Sequence, residues 1–170
     1  LLNPDLSPNS AIWHQILGTG FSVTLLQDLS PIHIVDVGAS THGKLTEPYA
    51  PLMEMHLAKV TGFEPNKEEC ERLNQLYASS GQYHYYPEFV GKGGPATFYE
   101  TNWYMTGSLY KPNDLILQSY EQLGEVTKFV KAHAINTVSL NKLENLDEID
   151  MIKIDVQGAE LDVFQGAGDR

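Results

Sequence analysis

A short β-branched run that stops on glycine constrains this chain more than any other stretch: Ile32-His-Ile-Val-Asp-Val37 breaks at once into Gly38-Ala39-Ser40. The run predicts a buried strand, and the glycine lets the backbone turn sharply and come close to a ligand with no Cβ in the way. A second apolar run, Val60 to Phe63, ends on Glu64. An acidic residue closing the neighbouring strand can grip ribose hydroxyls, so the two strand ends point to a nucleoside-cofactor site.

The pattern downstream alternates. Pro48 and Pro51 lead into a short crossover helix around Leu52 to Leu57. After Glu64, Asn66 with Glu69 three residues on forms a capping box for a helix running to about Ala78, with Cys70, Leu73, Leu76 and Tyr77 on one face. Strand three is Tyr83 to Tyr86; Thr97 to Tyr99 is a further strand, Asn113 to Leu123 a helix, and Lys128 to Val138 a strand and connection. Ile149 to Val156 is a buried strand that opens a last helix after Gln157-Gly158-Ala159-Glu160. Such alternation calls for a parallel sheet with right-handed crossovers, flanked by helices.

At 170 residues and 42% hydrophobic, the chain can bury one core but hardly two. Residues 1–30 are expected to form a helical extension, with Ile12, Trp13, Ile16 and Leu17 at helical spacing, and 31–170 a single domain whose C-terminal strands read as missing. No apolar stretch approaches the roughly 20 residues of a bilayer span and no basic-then-apolar leader opens the chain, which gives a cytoplasmic reading with no membrane partner. A formal charge of −11 repels phosphate backbones and argues against nucleic acid. The expected substrate is small, and neutral or cationic. Cys70 is the one cysteine, which excludes an internal disulfide and a multi-cysteine zinc site, and its acidic neighbours discourage a thiolate. No spaced oxygen-ligand motif is present, so no metal is expected.

A dinucleotide fingerprint reads G-x-G-x-x-G, and Gly38-Ala39-Ser40-Thr41-His42-Gly43 lacks its second glycine. S-adenosylmethionine (SAM) has no pyrophosphate to accommodate and needs only one or two glycines, so the pattern suits it better. Four stretches then occur in order: Ile34-Val-Asp-Val-Gly-Ala-Ser40, Gly62-Phe-Glu-Pro-Asn66, Thr106-Gly-Ser-Leu109 and Ile152-Lys-Ile-Asp-Val-Gln-Gly-Ala-Glu160. Together they resemble the FkbM-type methyltransferases, from about Ile32 to Ala167. The resemblance implies a Rossmann-like class I α/β fold, SAM as cofactor, and O-methylation of a sugar or small-metabolite hydroxyl. It puts Asp36, Gly38, Ala39 and Ser40 in the first SAM loop, Glu64 on the ribose, Pro65 and Asn66 beside the adenosine, and Val90 and Gly91 near the adenine edge.

Asp155 ends the fourth strand, where open α/β sheets place their ligands. It is the leading catalytic candidate, as a carboxylate that orients the acceptor hydroxyl and takes its proton. Lys153, two residues earlier on the same face, is the second: it could pair with a carboxylate or touch substrate. His42 titrates in a useful range as a residue type but reads as a solvated loop histidine. Trp103, Tyr104, Met105 and Ser108 are expected at the pocket for a small-molecule or carbohydrate acceptor. Two alternatives stay open, an NAD(P)-dependent oxidoreductase domain and a non-catalytic nucleoside-binding module.

Overall fold

The computed structural model describes residues 30–41 and 47–169. The expected helix over Ser10 to Leu17, His42 and Gly43 lie outside them. Strand β1 (Ile32–Val37) pairs in parallel with β2 (Ala58–Phe63) on one side and with β7 (Met151–Ile154) on the other. β3 (Tyr83–Tyr86) lies outside β2, giving the order β3-β2-β1-β7 with every pairing parallel. His33 through Val37 are buried, as a central strand covered on both faces requires. The histidine among them is satisfied: His33 Nδ1 lies 2.9 Å from the Glu148 carbonyl, to which it donates, and Nε2 lies 2.8 Å from the Thr61 hydroxyl.

Side-chain alternation sorts the core onto the two faces. Val35 and Val37 pack with Phe63, Leu140 and with Val163 and Ala167 of helix α5 (Glu160–Ala167). Ile34 faces the other way, against Tyr49 and Met53 of the segment carrying α1 (Ala50–Glu54). Beside it, Cys70 and Leu73 of α2 (Lys67–Leu76) cover Ala39 and Tyr85. The result is a Rossmann-like α/β layer arrangement, with a parallel central sheet between helices.

Helix α2 begins as the sequence predicts, with the Asn66 side chain accepting from Glu69 N at 3.1 Å. The reciprocal half of the box is absent. The Glu69 carboxylate instead takes Arg72, at 2.7 Å from Nε, and Asn66 N donates to Glu64 Oε1 at 2.8 Å.

Between β3 and β7 the two expected strands are present but lie outside the parallel sheet, and the expected helix is corrected. Thr97 to Tyr99 and Lys128 to Val138 are parts of a second sheet. β5 (Gly94–Thr101) runs antiparallel to β6 (Phe129–Val138), and the short β4 (Phe89–Val90) pairs in parallel on the other side of β6. The expected helix Asn113 to Leu123 is two short ones, α3 (Asp114–Leu117) and α4 (Glu121–Val126), with Tyr120 extended between them. Leu115 is 85% exposed and Ile116 57%, so no core face holds a longer helix together.

Candidate active site at the carboxyl ends of the parallel strands

The end of β1 folds back over β2: the amides of Gly38 and Ala39 both donate to the Phe63 carbonyl, at 3.0 and 3.2 Å. Gly38 adopts φ +78°, and a Cβ there would lie 2.1 Å from the Asp155 carbonyl oxygen. Asp155 N in turn donates to the Val37 carbonyl at 2.9 Å, so the turn after β1 and the end of β7 interlock through backbone that only glycine permits.

Behind this turn lies a buried charge cluster. Asp36 and Lys153 are cross-strand partners in register. Lys153 Nζ donates to the Gly38 carbonyl at 2.9 Å and sits 2.9 Å from Asp36 Oδ1, close enough for an ion pair though not aligned as a hydrogen bond. Tyr49 donates its hydroxyl to Asp36 Oδ2 at 2.5 Å. Burial still pushes the Asp36 carboxyl above its ordinary range, outweighing the opposing pull of Lys153 and Tyr49. Glu47 is raised as well, first by burial, with Lys153 opposing. Burial and the Asp36 charge together drive the Tyr49 phenol far up, so it stays a donor.

The residues after β7 form a second tight turn. Gln157 takes φ 54°, unusual for a residue with a side chain, and Gly158 follows at 97°. The Gln157 carbonyl accepts from Ser108 Oγ at 2.7 Å, and Glu160 Oε1 accepts from Gly158 N at 2.9 Å. Thus the Thr106-Gly-Ser-Leu109 stretch is pinned to the Asp155-Val-Gln-Gly stretch.

Between the carboxyl ends of β1, β2 and β7 and the face of the β4-β6-β5 sheet lies a cavity of about 460 Å³, within the usual range for small ligands. Of the residues singled out in the sequence, Gly38, Ser40, Glu64, Pro65, Asn66, Val90 and Asp155 line it. Tyr104, Met105 and Ser108 join them, whereas Trp103 does not. Asp36, Ala39, Gly91 and Lys153 lie behind the lining. Gly91 faces α5: its carbonyl oxygen would be 1.9 Å from a Cβ on Gly166. Glu64 is buried at 7% exposure, and its carboxylate helps push the Cys70 thiol up, after burial.

Sequence reasoning missed Phe98, Glu100, His133 and Ile135, which form the opposite wall. Their signal was there as alternation in Thr97-Phe-Tyr-Glu100 and Ala132-His-Ala-Ile135, but the register that joins the two strands was not. Among the described residues, no group of three or more His, Cys, Asp or Glu is placed to hold a metal ion, and no helix is long and apolar enough to cross a membrane.

Comparison with curated proteins and with solved structures finds no match for the chain. The model of the methyltransferase FkbM domain, however, matches residues 36–170, a span that holds the glycine turn, both walls of the cavity and the Asp155 turn. With that match over most of its length, the chain belongs to the FkbM methyltransferase family.

Proposed function

We propose that this methyltransferase takes its methyl group from S-adenosylmethionine and passes it to a hydroxyl of a small-molecule or carbohydrate acceptor. The observation that carries the reading is the Gly38 turn, which is packed from behind by the Asp155 carbonyl and presents bare backbone to the cavity that Glu64 also lines.

The residues present fit the parts of that cofactor. Glu64 offers a carboxylate to a ribose diol, and its orientation is held by the Asn66 amide at the α2 N-terminus. Pro65 and Val90 give apolar surface for an adenine ring. The Asp155 carboxylate suits the cofactor's ammonium. The sequence reading lent Asp155 to the acceptor hydroxyl, but its seat against the glycine turn favours the cofactor end. Lys153, behind the lining, holds the Gly38 carbonyl and so positions the turn.

When bound, the cofactor supplies a methyl group on a sulfonium that leaves as a neutral thioether. The protein's work is then to hold the acceptor oxygen in line at roughly 3–3.5 Å and to manage its proton. Among the described residues no Lys or Arg lines the cavity, while Glu64, Glu88, Glu100 and Asp155 do. That lining favours a neutral or cationic acceptor over a phosphorylated one.

Calorimetric titration of the complete chain with SAM, S-adenosylhomocysteine and NAD in parallel tests this. The expected result is binding of both adenosyl ligands, no heat with NAD, and roughly tenfold weaker binding in Glu64→Gln, the loss of one charge-assisted hydrogen bond. Binding of NAD alone would overturn the reading in favour of an oxidoreductase. A folded chain that binds none of the three overturns it too.

A further inference from the structure

The wall facing the cofactor end is one face of the second sheet. Period-2 alternation puts Phe98 and Glu100 of β5 on the same side, and the antiparallel register sets His133 of β6 opposite Phe98, with Ile135 two residues on. All four line the cavity. Within this apolar wall, Glu100 and His133 form a polar pair: Glu100 Oε2 lies 2.6 Å from His133 Nε2, and both side chains are partly exposed, at 43% and 37%. The ring of Phe98 lies alongside, 6.4 Å from the imidazole between centroids.

A carboxylate can only accept, so Nε2 carries the hydrogen of this bond, and in the neutral imidazole the lone pair then falls on Nδ1. Among the described lining residues His133 is the one imidazole. Of the other lining carboxylates, Glu64 accepts from the Asn66 amide and Asp155 from the Gln157 side-chain amide, and Glu88 lines the cavity as well, so what sets His133 apart is its pairing with Glu100 on the wall.

We propose that His133, oriented by Glu100, is the proton acceptor for the incoming hydroxyl. The inference rests on the SAM-dependent O-methylation argued above and extends it by naming where the proton goes. The acceptor oxygen forms its bond to the methyl carbon as the carbon–sulfur bond breaks, with that electron pair remaining on sulfur. The O–H bond breaks, its electrons stay on oxygen, and the proton passes to Nδ1. The imidazolium so formed faces the Glu100 carboxylate, which stabilises it until the proton is lost to water. An imidazole suits the task because its neutral ring presents one hydrogen-bearing and one bare nitrogen at once, so one can be held by Glu100 while the other takes the proton.

The test uses the complete chain with ¹⁵N-labelled histidine, saturated with S-adenosylhomocysteine; the His133 signals are assigned by their disappearance in His133→Gln. The expected spectrum has the hydrogen on Nε2 and a bare Nδ1, with Glu100→Gln mixing the two tautomers. A hydrogen on Nδ1 in the unmutated chain, or no change of tautomer in Glu100→Gln, overturns the assignment. In parallel, transfer of label from methyl-tritiated SAM is followed on methyl β-D-glucopyranoside, cyclohexanol, phenol and catechol. His133→Gln is expected to bind S-adenosylhomocysteine as the unmutated chain does while losing roughly 10²–10⁴-fold in transfer. Undiminished transfer overturns the proposal, and where no alcohol of the four takes label the tautomer alone decides. Failure of the unmutated chain to bind S-adenosylhomocysteine sinks the cofactor reading; binding with the wrong tautomer sinks only the pair.

Discussion

At the scale of single residues, Gly38 and Asp36 show two ways in which the end of β1 is over-determined. Gly38→Ala combines a left-handed backbone, worth about 1–2 kcal/mol against an L side chain, with a Cβ placed 2.1 Å from the Asp155 carbonyl oxygen. Gly158 supplies the control, because its φ is +97° and nothing lies within 4 Å of a Cβ there. Urea denaturation should therefore show a larger loss for Gly38→Ala than for Gly158→Ala, and calorimetry a loss of S-adenosylhomocysteine affinity in the first. Equal losses would mean that β7 simply gives way. Asp36 makes a prediction in pH. Its folded carboxyl is raised above the ordinary 3.8, so its contribution to stability is fully present below that value and is lost as pH rises through the folded one. Relative to Asp36→Asn, the unmutated chain should lose unfolding free energy as pH climbs from about 4 toward neutrality. A flat difference would mean that Lys153 and Tyr49 fully offset the burial.

At the scale of elements, legibility followed the reach of the interactions. Strand β1 and the Asn66 start of α2 were read correctly because each is written locally, in a β-branched run and a side-chain cap, whereas the strand leading to Asp155, expected buried over Ile149 to Val156, is the shorter β7 at the edge of the sheet, with Met151 exposed and Ile152 to Ile154 half-buried. Asn66→Ala should accordingly destabilise the chain by about 1 kcal/mol in urea titration. It also keeps the backbone amide that holds Glu64, so S-adenosylhomocysteine affinity should change little; a large loss would show that the cap itself shapes the proposed ribose end. What could not be read was pairing over distance. Phe98 meets His133 only because β5 and β6 align in one register, and a shift by one residue would turn Glu100 and His133 out of the cavity. The long helix expected after Asn113 failed for a related reason. Its apolar residues have helical spacing but no surface to cover, and Leu115 and Ile116 stay exposed.

At the scale of the whole molecule, the charge of −11 and the cavity lining act in the same direction. SAM carries a net positive charge through its sulfonium, whereas the thioether product has none. A cavity walled by Glu64, Glu88, Glu100 and Asp155, with no lining Lys or Arg among the described residues, should therefore draw in SAM, the proposed methyl donor, more strongly than it retains the product. The preference is electrostatic and acts over the partly open mouth as well as at contact, so salt should erode it. Between about 10 mM and about 1 M salt the screening length shortens from ~30 Å to ~3 Å. Calorimetric affinities measured across that range should show the ratio of SAM to S-adenosylhomocysteine binding falling steadily, with most of the change in SAM. A ratio independent of salt would place the discrimination in short contacts to the methyl group and leave the acidic lining without a part in it. A product that binds more tightly than the donor even at low salt would contradict the electrostatic argument outright, and product departure would then need a conformational step.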